Sequence, residues 1–244
     1  MTDTQIGREV HVLQLYPRDM NIYGDNGNAL VVKRRLERYG YTPVMHEYNP
    51  EDAFPDVVDI VIGGGGQDSG QGRIQDDLQK IGPRLRELAD DGTPMLVICG
   101  LYQLFGRHFD TASGERISGI GILDVETRAT NTRLIGNVVC TSPEFGEVLG
   151  YENHSGQTFL GDAAQPFAAV VSGEGNNAEA PFEGARYKNV IGSYLHGSVL
   201  PKNPAVADFL IRTAVEKRYG AFTDTRLDDT LADNAREQAR QRPR

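Results

Sequence analysis

Cys99 stands in V-I-C-G-L-Y-Q-L-F-G, where an apolar run ends, a glycine follows and Leu101, Tyr102, Gln103, Leu104 and Phe105 open a helix-like segment. A side chain at such a strand-to-helix turn rises above the sheet edge toward a ligand. The helix N-terminus behind it offers N–H groups and partial positive charge, which favour thiolate over thiol. The same N–H groups can hold an oxyanion. The pattern is that of a nucleophile elbow with sulfur in place of oxygen. Cys140, inside the strand-like I-G-N-V-V-C, reads instead as a small core residue.

A thiolate needs a proton partner, and the candidates are His11, His46, His108, His154 and His196. His11 and His46 lie in or beside strand signals, and His108 follows the helix after Cys99. His196 closes the strand-like K-N-V-I-G-S-Y-L-H-G (188–197), while His154 sits in the loop-like E-N-H-S-G and competes with it. The C-terminal ends of parallel strands share one sheet edge. Cys99 and His196 therefore meet if their strands are parallel neighbours. A third feature is I-G-G-G-G-Q-D (62–68), directly after the apolar V-V-D-I-V-I. Glycines Gly63 to Gly66 at a strand end let backbone N–H groups approach a ligand closely. It is no phosphate loop, because G-x-x-x-x-G-K-[ST] is absent from the chain.

Strands and helices must position these groups. V-H-V-L-Q-L-Y (10–16), P-V-M-H-E-Y (43–48), V-V-D-I-V-I (57–62) and M-L-V-I-C (95–99) read as strands. A helical window around Ala29, Leu30, Val31, Val32 and Leu36 closes at Gly40. Ile74, Leu78, Ile81, Leu85 and Leu88 make one helical stripe. Gly82–Pro83 should kink or restart that helix. Such alternation predicts an α/β fold with a mostly parallel sheet covered on both sides. The second half, punctuated by Gly119, Gly121, Gly136, Gly146, Gly150 and Gly156, predicts antiparallel strands that continue this sheet or flank it. Residues 204–219 predict a helix. Leu227, Leu231, Ala235 and Ala239 give the tail a weak helical series, open to either a docking helix or a frayed end.

The 244 residues include 34 acids and 25 lysines and arginines, a net charge of −9. No basic face is available for phosphates or anionic lipid. No apolar run approaches the roughly 18 residues of a spanning helix, and the N-terminus is polar, so a cytoplasmic protein is expected. Two cysteines cannot build a disulfide framework or a four-cysteine zinc site. Glycine is abundant at 28 residues, which as a share exceeds the usual value of about 7 %. The expected division is one domain over residues 1–220 and a charged tail over 221–244.

The glycine loop Gly63 to Gly66, the elbow I-C-G-x-Y-Q (98–103) and the late Y-L-H-G (194–197) occur in this order. Together the chain resembles class I glutamine amidotransferases of the cobyric acid synthase branch. N-I-Y-G-D-N-G-N (21–28), G-I-G-I-L-D (119–124), T-R-L-I-G-N (132–137), Y-E-N-H-S-G (151–156), G-N-N (175–177) and L-P-K-N (200–203) narrow the likeness. They are similar to glutaminase subunits of lipid II isoglutaminyl synthase. The resemblance spans roughly residues 10–220.

The resemblance implies a three-layer flavodoxin-like fold with an added antiparallel part. It implies Cys99 as nucleophile toward the glutamine side-chain amide and His196 as general base and then acid. Gly100 and a glycine among Gly64 and Gly65 would hold the oxyanion. Arg133 would bind the α-carboxylate of glutamine through a bidentate pair, with Arg128 as the rival, and Gln103 would also touch substrate. The chain itself would need no cofactor or metal. A MurT-like, Mur-ligase-type partner would carry ATP and magnesium, activate the α-carboxylate of D-glutamate in lipid II, and receive the ammonia. A corrinoid or other carboxylate acceptor, and a non-catalytic interaction subunit, are the competing readings.

Two positions depart from the wider class. Ser198 stands where most class I amidotransferases carry glutamate, so an acid for His196 is expected from the partner, and the isolated chain should be a poor glutaminase. Leu101 replaces the usual glycine, which fits if that position is helical and strains the backbone if φ is positive.

Overall fold

The alternating pattern of the first hundred residues folds, in a computed structural model, into β1 (Glu9–Leu15), α1 (Asn26–Arg38), β2 (Thr42–Tyr48), β3 (Ile60–Gly63), α2 (Asp68–Asp90), β4 (Met95–Ile98) and α3 (Gly100–Phe105). Residues 7–66, 68–223 and 225–242 are described, apart from the side chains of Asp68 and Ser69. The polar residues 1–6 and Gln67 of the glycine motif lie outside them. There follow β5 (His108–Asp110), β6 (Arg116–Ser118), β7 (Val125–Ser142), β8 (Gly146–Leu160), β9 (Ala168–Ser172), β10 (Phe182–Glu183), β11 (Ala185–Tyr187), β12 (Val190–Ser193), α4 (Val199–Lys202), α5 (Pro204–Tyr219) and α6 (Thr230–Arg240).

The central sheet has the order β11-β12-β4-β3-β1-β2. All neighbours are parallel except the edge strand β11, which runs antiparallel to β12. β3 and β4 are buried at every position, as strands covered on both faces must be. Helices α1 and α5 pack together against β1, β2 and β3, while α2 packs on α3, which touches β4 and β12. The glycine-punctuated half flanks this sheet. It forms a second sheet, β10-β9-β7-β5-β6, in which β8 pairs with β7.

Three expectations change in detail. Pro83 neither breaks nor restarts its helix, because α2 runs through it as one element of 23 residues. The adjacent Gly82 serves close packing, since a Cβ there would stand 2.8 Å from Ile120 Cγ2. The strand before His196 stops early, at Ser193. Buried Glu183 takes the Ser193 hydroxyl and the Tyr194 N–H, each at 2.7 Å, and draws the chain out of the sheet. The tail forms α6, in which no residue is buried and Leu231 is 85 % exposed, while Leu227 ahead of it packs partly against the core. Charge holds the tail. Arg236 donates to the Lys202 and Glu147 carbonyls, Arg240 pairs with Glu147 at 2.5 Å, and buried Arg35 pairs with Asp208 and Asp229. No helix among the described residues is long and apolar enough to cross a membrane.

Gly192 lies in β12 between β11 and β4, and a Cβ there would drive into the fully buried Tyr102 ring. Gly192→Ala should therefore lower unfolding free energy by about 1–3 kcal/mol. Urea unfolding followed by circular dichroism checks this, and an unchanged midpoint would contradict the packing.

Candidate active site

Cys99 is the first residue after β4 and the cap of α3. Its φ is +50° and ψ −104°, a conformation costing a non-glycine residue about 1–3 kcal/mol. The turn is held by Cys99 N–H donating to Ser193 O at 2.8 Å and Gln103 N–H donating to Cys99 O at 2.9 Å. The positive φ belongs to the cysteine itself. Leu101 sits inside α3, fully buried, and is absent from the positive-φ residues, so leucine replaces glycine there without backbone strain.

β12 lies beside β4 in parallel register, Ser193 opposite Ile98. That pairing brings His196 to the edge where Cys99 stands. The His196 backbone is fixed from the second sheet, its N–H donating to Tyr151 O at 2.7 Å. Between the two side chains lies Gly65. A Cβ on that glycine would be 3.0 Å from both Cys99 Cβ and His196 Cε1, so a larger residue would have to push one of them aside. Tyr23 lies against the His196 ring at 4.2 Å between centroids.

A carboxylate that sequence reasoning missed completes the group. Asp25, 2 % exposed, accepts the Gly65 N–H at 2.8 Å, and its Oδ2 is 4.0 Å from His196 Nδ1. The chain thus places an acid of its own beside the histidine. Ser198, at the position of the usual glutamate, turns away and donates to Gly24 O at 2.7 Å, tying down the Asp25 loop. The bond to Asp25 bears on the oxyanion expectation, because it takes the Gly65 N–H, while a Cβ on Gly64 would collide with Met20 O and Asp25 Cβ. Gly66, which lines the cavity over Cys99, is the loop residue that faces Gly100.

The cavity holds about 390 Å3 and is lined by Tyr23, Gly66, Gln71, Cys99, Gln103 and Arg133, together with Asn153 and His154. That volume suits a small amino acid. A larger cavity of about 810 Å3 beside Tyr39 and the tail contains neither Cys99 nor a histidine, so chemistry rather than size selects the site. Arg133 reaches the smaller cavity because β7 and β8 lose register between Ala129 and Leu134, an irregularity of the kind that re-aims a side chain. Arg133 Nε donates to Asn153 Oδ1 at 2.7 Å and Nη2 to the Tyr23 hydroxyl at 3.1 Å. Arg128 points elsewhere, over the Phe159 ring and toward Glu126. Gln103 lines the cavity, but its Oε1 accepts from Gln71 and its Nε2 donates to the Tyr194 hydroxyl.

Burial governs the electrostatics. It lowers His196 to about 3, with His154 and Arg133 adding to the effect, and it lowers His154 to about 4. Asp25 is raised to about 6 by burial, against the opposing pull of the Gly65 hydrogen bond. His154, which also lines the cavity, is stacked flat on Tyr194 at 3.6 Å, with Nδ1 donating to Gly156 O. Both ring nitrogens of His196 are buried without a hydrogen-bond partner among the described residues. Buried polar atoms left this way in a packed interior signal a working group. Cys140 is wholly buried, which pushes its thiol up and leaves it inert. His11 and His46 stack on one another, and His108 faces Asp110.

A CobB/CobQ-like glutamine amidotransferase domain matches residues 11–204. The chain belongs to the CobB/CobQ-like glutamine amidotransferase family. It is 40 % identical over 215 residues to the GatD subunit of lipid II isoglutaminyl synthase (glutamine-hydrolyzing) from Streptococcus pneumoniae, covering 87 % of this chain and 83 % of that protein. To the Staphylococcus aureus GatD subunit it is 36 % identical over 224 residues, covering 90 % and 91 %. Within the amidotransferase family it groups with these subunits. PurLQS from Thermotoga maritima shares the fold at a TM-score of 0.58 and 16 % identity, over 83 % of this chain and 97 % of that one. Among the described residues, no cluster of three or more His, Cys, Asp or Glu could hold a metal ion.

A depressed His196 should stay neutral far into acid. In Cys99→Ala protein, its Cε1 proton shift should hold the neutral value from pH 8 to about pH 5, whereas an exposed histidine titrates near 6.5. For His154 and His196 alike, the unfolded chain binds protons first. Their contribution to stability is therefore present above about pH 6.5 and is lost as pH falls toward 4 and then 3.

Proposed function

We propose that this chain hydrolyses L-glutamine to glutamate and ammonia through a thioester on Cys99, and that the ammonia serves a partner subunit. The observation that carries the reading is the strained Cys99 elbow, with buried His196 across Gly65 from it, at a cavity lined by Cys99 and Arg133.

In this reading Arg133 binds the α-carboxylate, its remaining N–H groups lying beyond those spent on Asn153 and Tyr23. Cys99 Sγ bonds to the side-chain amide carbon while the thiol proton passes to His196. Gly100 N–H, at the start of α3, and Gly66 N–H hold the developing oxyanion. His196 then protonates the departing nitrogen, which leaves as ammonia as the C–N bond breaks. Water attacks the thioester and gives its proton to His196. The C–S bond breaks, glutamate leaves, and the thiol is restored. Asp25 favours the imidazolium by its charge and fixes Gly65 by its hydrogen bond, so it aligns base and loop together.

The acceptor is read from the GatD relatives. A MurT-like, Mur-ligase-type subunit would bind ATP and magnesium, activate the α-carboxylate of D-glutamate in the lipid II stem and amidate it to D-isoglutamine. The place of action is then the cytoplasmic face of the membrane, in peptidoglycan biosynthesis. The absence of a phosphate loop here supports leaving ATP to the partner.

Glutamate release, measured with and without that partner, tests the reading. Cys99→Ala should lose more than about a thousand-fold in kcat. Arg133→Met should raise KM by about ten- to a hundred-fold with a smaller change in kcat, the loss of a charged hydrogen-bonded pair. Asp25→Asn keeps an acceptor for Gly65 and removes the charge, so kcat should fall about ten- to a hundred-fold. Retained activity in Cys99→Ala would overturn the nucleophile. If Asp25→Asn is neutral in the complex, the acid that serves His196 comes from the partner.

A further inference from the structure

The cavity over Cys99 carries one guanidinium, from Arg133, and no carboxylate among its described lining side chains. A free α-amino acid brings an ammonium next to its carboxylate, and that ammonium loses its water on entering. A site that takes such a ligand needs a fixed acceptor as well as a cation. We propose that the side-chain carbonyl of Gln71 is that acceptor, which makes Gln71 the residue that selects an α-amino acid over the same amide without its amino group. The proposal rests on the glutamine reading above.

Gln71 lies in the first turns of α2, 1 % exposed, and lines the cavity. The direction of its amide is settled by its neighbours. Its Nε2 is 3.1 Å from the Gly100 carbonyl oxygen, an atom that can only accept, and 2.7 Å from Gln103 Oε1. Both of its N–H groups are therefore spent within the protein. The same sense of donation continues behind it. Gln103 Nε2 donates to the Tyr194 hydroxyl at 3.0 Å, that hydroxyl meets Thr158 Oγ1 at 2.6 Å, and Thr158 Oγ1 meets Thr127 Oγ1 at 2.7 Å. Turning Gln71 over would set its oxygen against the Gly100 oxygen and against Gln103 Oε1, with no donor between them. A buried network with one satisfied arrangement is rigid. The polar atom of Gln71 that this network leaves for a ligand is Oε1.

Gln103, the elbow residue expected to touch substrate, then acts one step back. It turns Gln71 so that an acceptor, not a donor, faces the bound molecule. Nothing in the residue pattern around D-S-G-Q-G-R marks Gln71 for this role, because the role depends on the carbonyl of Gly100, which only the folded elbow supplies.

The test compares wild type, Gln71→Leu and Gln71→Lys as full chains in complex with the partner subunit. The ligands are L-glutamine and 4-carbamoylbutanoate, which keeps the amide and the carboxylate and lacks the amino group, used as substrate or competitor. Gln71→Leu should raise KM for L-glutamine about ten- to a hundred-fold with kcat within about threefold, and leave the constant for 4-carbamoylbutanoate unchanged. Gln71→Lys can still donate to Gly100 O and Gln103 Oε1 but offers no acceptor, and should lose at least as much for L-glutamine alone. An unchanged KM for L-glutamine in both variants overturns the proposal. So does an equal rise for both ligands, which would make Gln71 a support for the elbow. Wild-type complex that releases no glutamate would instead defeat the glutamine reading, and this proposal with it.

Discussion

The parallel pairing of β12 with β4 is the contact on which the site depends. Ser193 opposite Ile98 is the last pair of that ladder, and both chains leave the sheet there in the same direction. Cys99 follows one strand immediately and His196 follows the other after two intervening residues. Moving this register by one residue would turn every side chain of the strand to the other face and separate nucleophile from base. The apolar content of M-L-V-I and V-I-G-S, all buried, is what pins it.

A backbone conformation of unusual cost sits at the same edge, at Cys99. Tyr16, Cys99 and Ser198 have positive φ at the end of β1, at the elbow and just after His196, as Glu51 and Lys188 do elsewhere. The glycine loop works by having no side chain, so that Asp25, Cys99 and His196 close around Gly65. Burial then sets protonation. It keeps the histidine neutral and the aspartate high, two shifts with opposite effects on stability as pH changes.

Much of this was legible in the sequence because it is local. The strand-glycine-helix signal at Cys99 and the helix over 204–219 correspond to observed elements, and the strand run before His196 does so as far as Ser193. The resemblance stated from ordered motifs was matched by the family to which the chain belongs. What escaped depends on contacts between distant segments. Asp25 sits in N-I-Y-G-D-N-G-N as one polar residue among several, and only the return of the chain at Gly65 and His196 gives it a role. Tyr23, Asn153 and Gln71 were unreadable for the same reason. The second sheet could not be told from an extension of the first, since strand patterning reports faces and not partners. The tail's weak apolar series left a docking helix and a frayed end both open, because the ion pairs of Arg236, Arg240 and buried Arg35 that hold it join distant segments.

The central claim is that Cys99 forms a covalent intermediate with glutamine. Acid quenching of the complex during turnover, followed by peptide mass mapping, tests it directly. The account predicts a mass increase of one glutamyl group on the peptide containing Cys99, sensitive to hydroxylamine and absent from Cys99→Ala. Turnover with no adduct on that peptide, or with an adduct on Cys140, would contradict it.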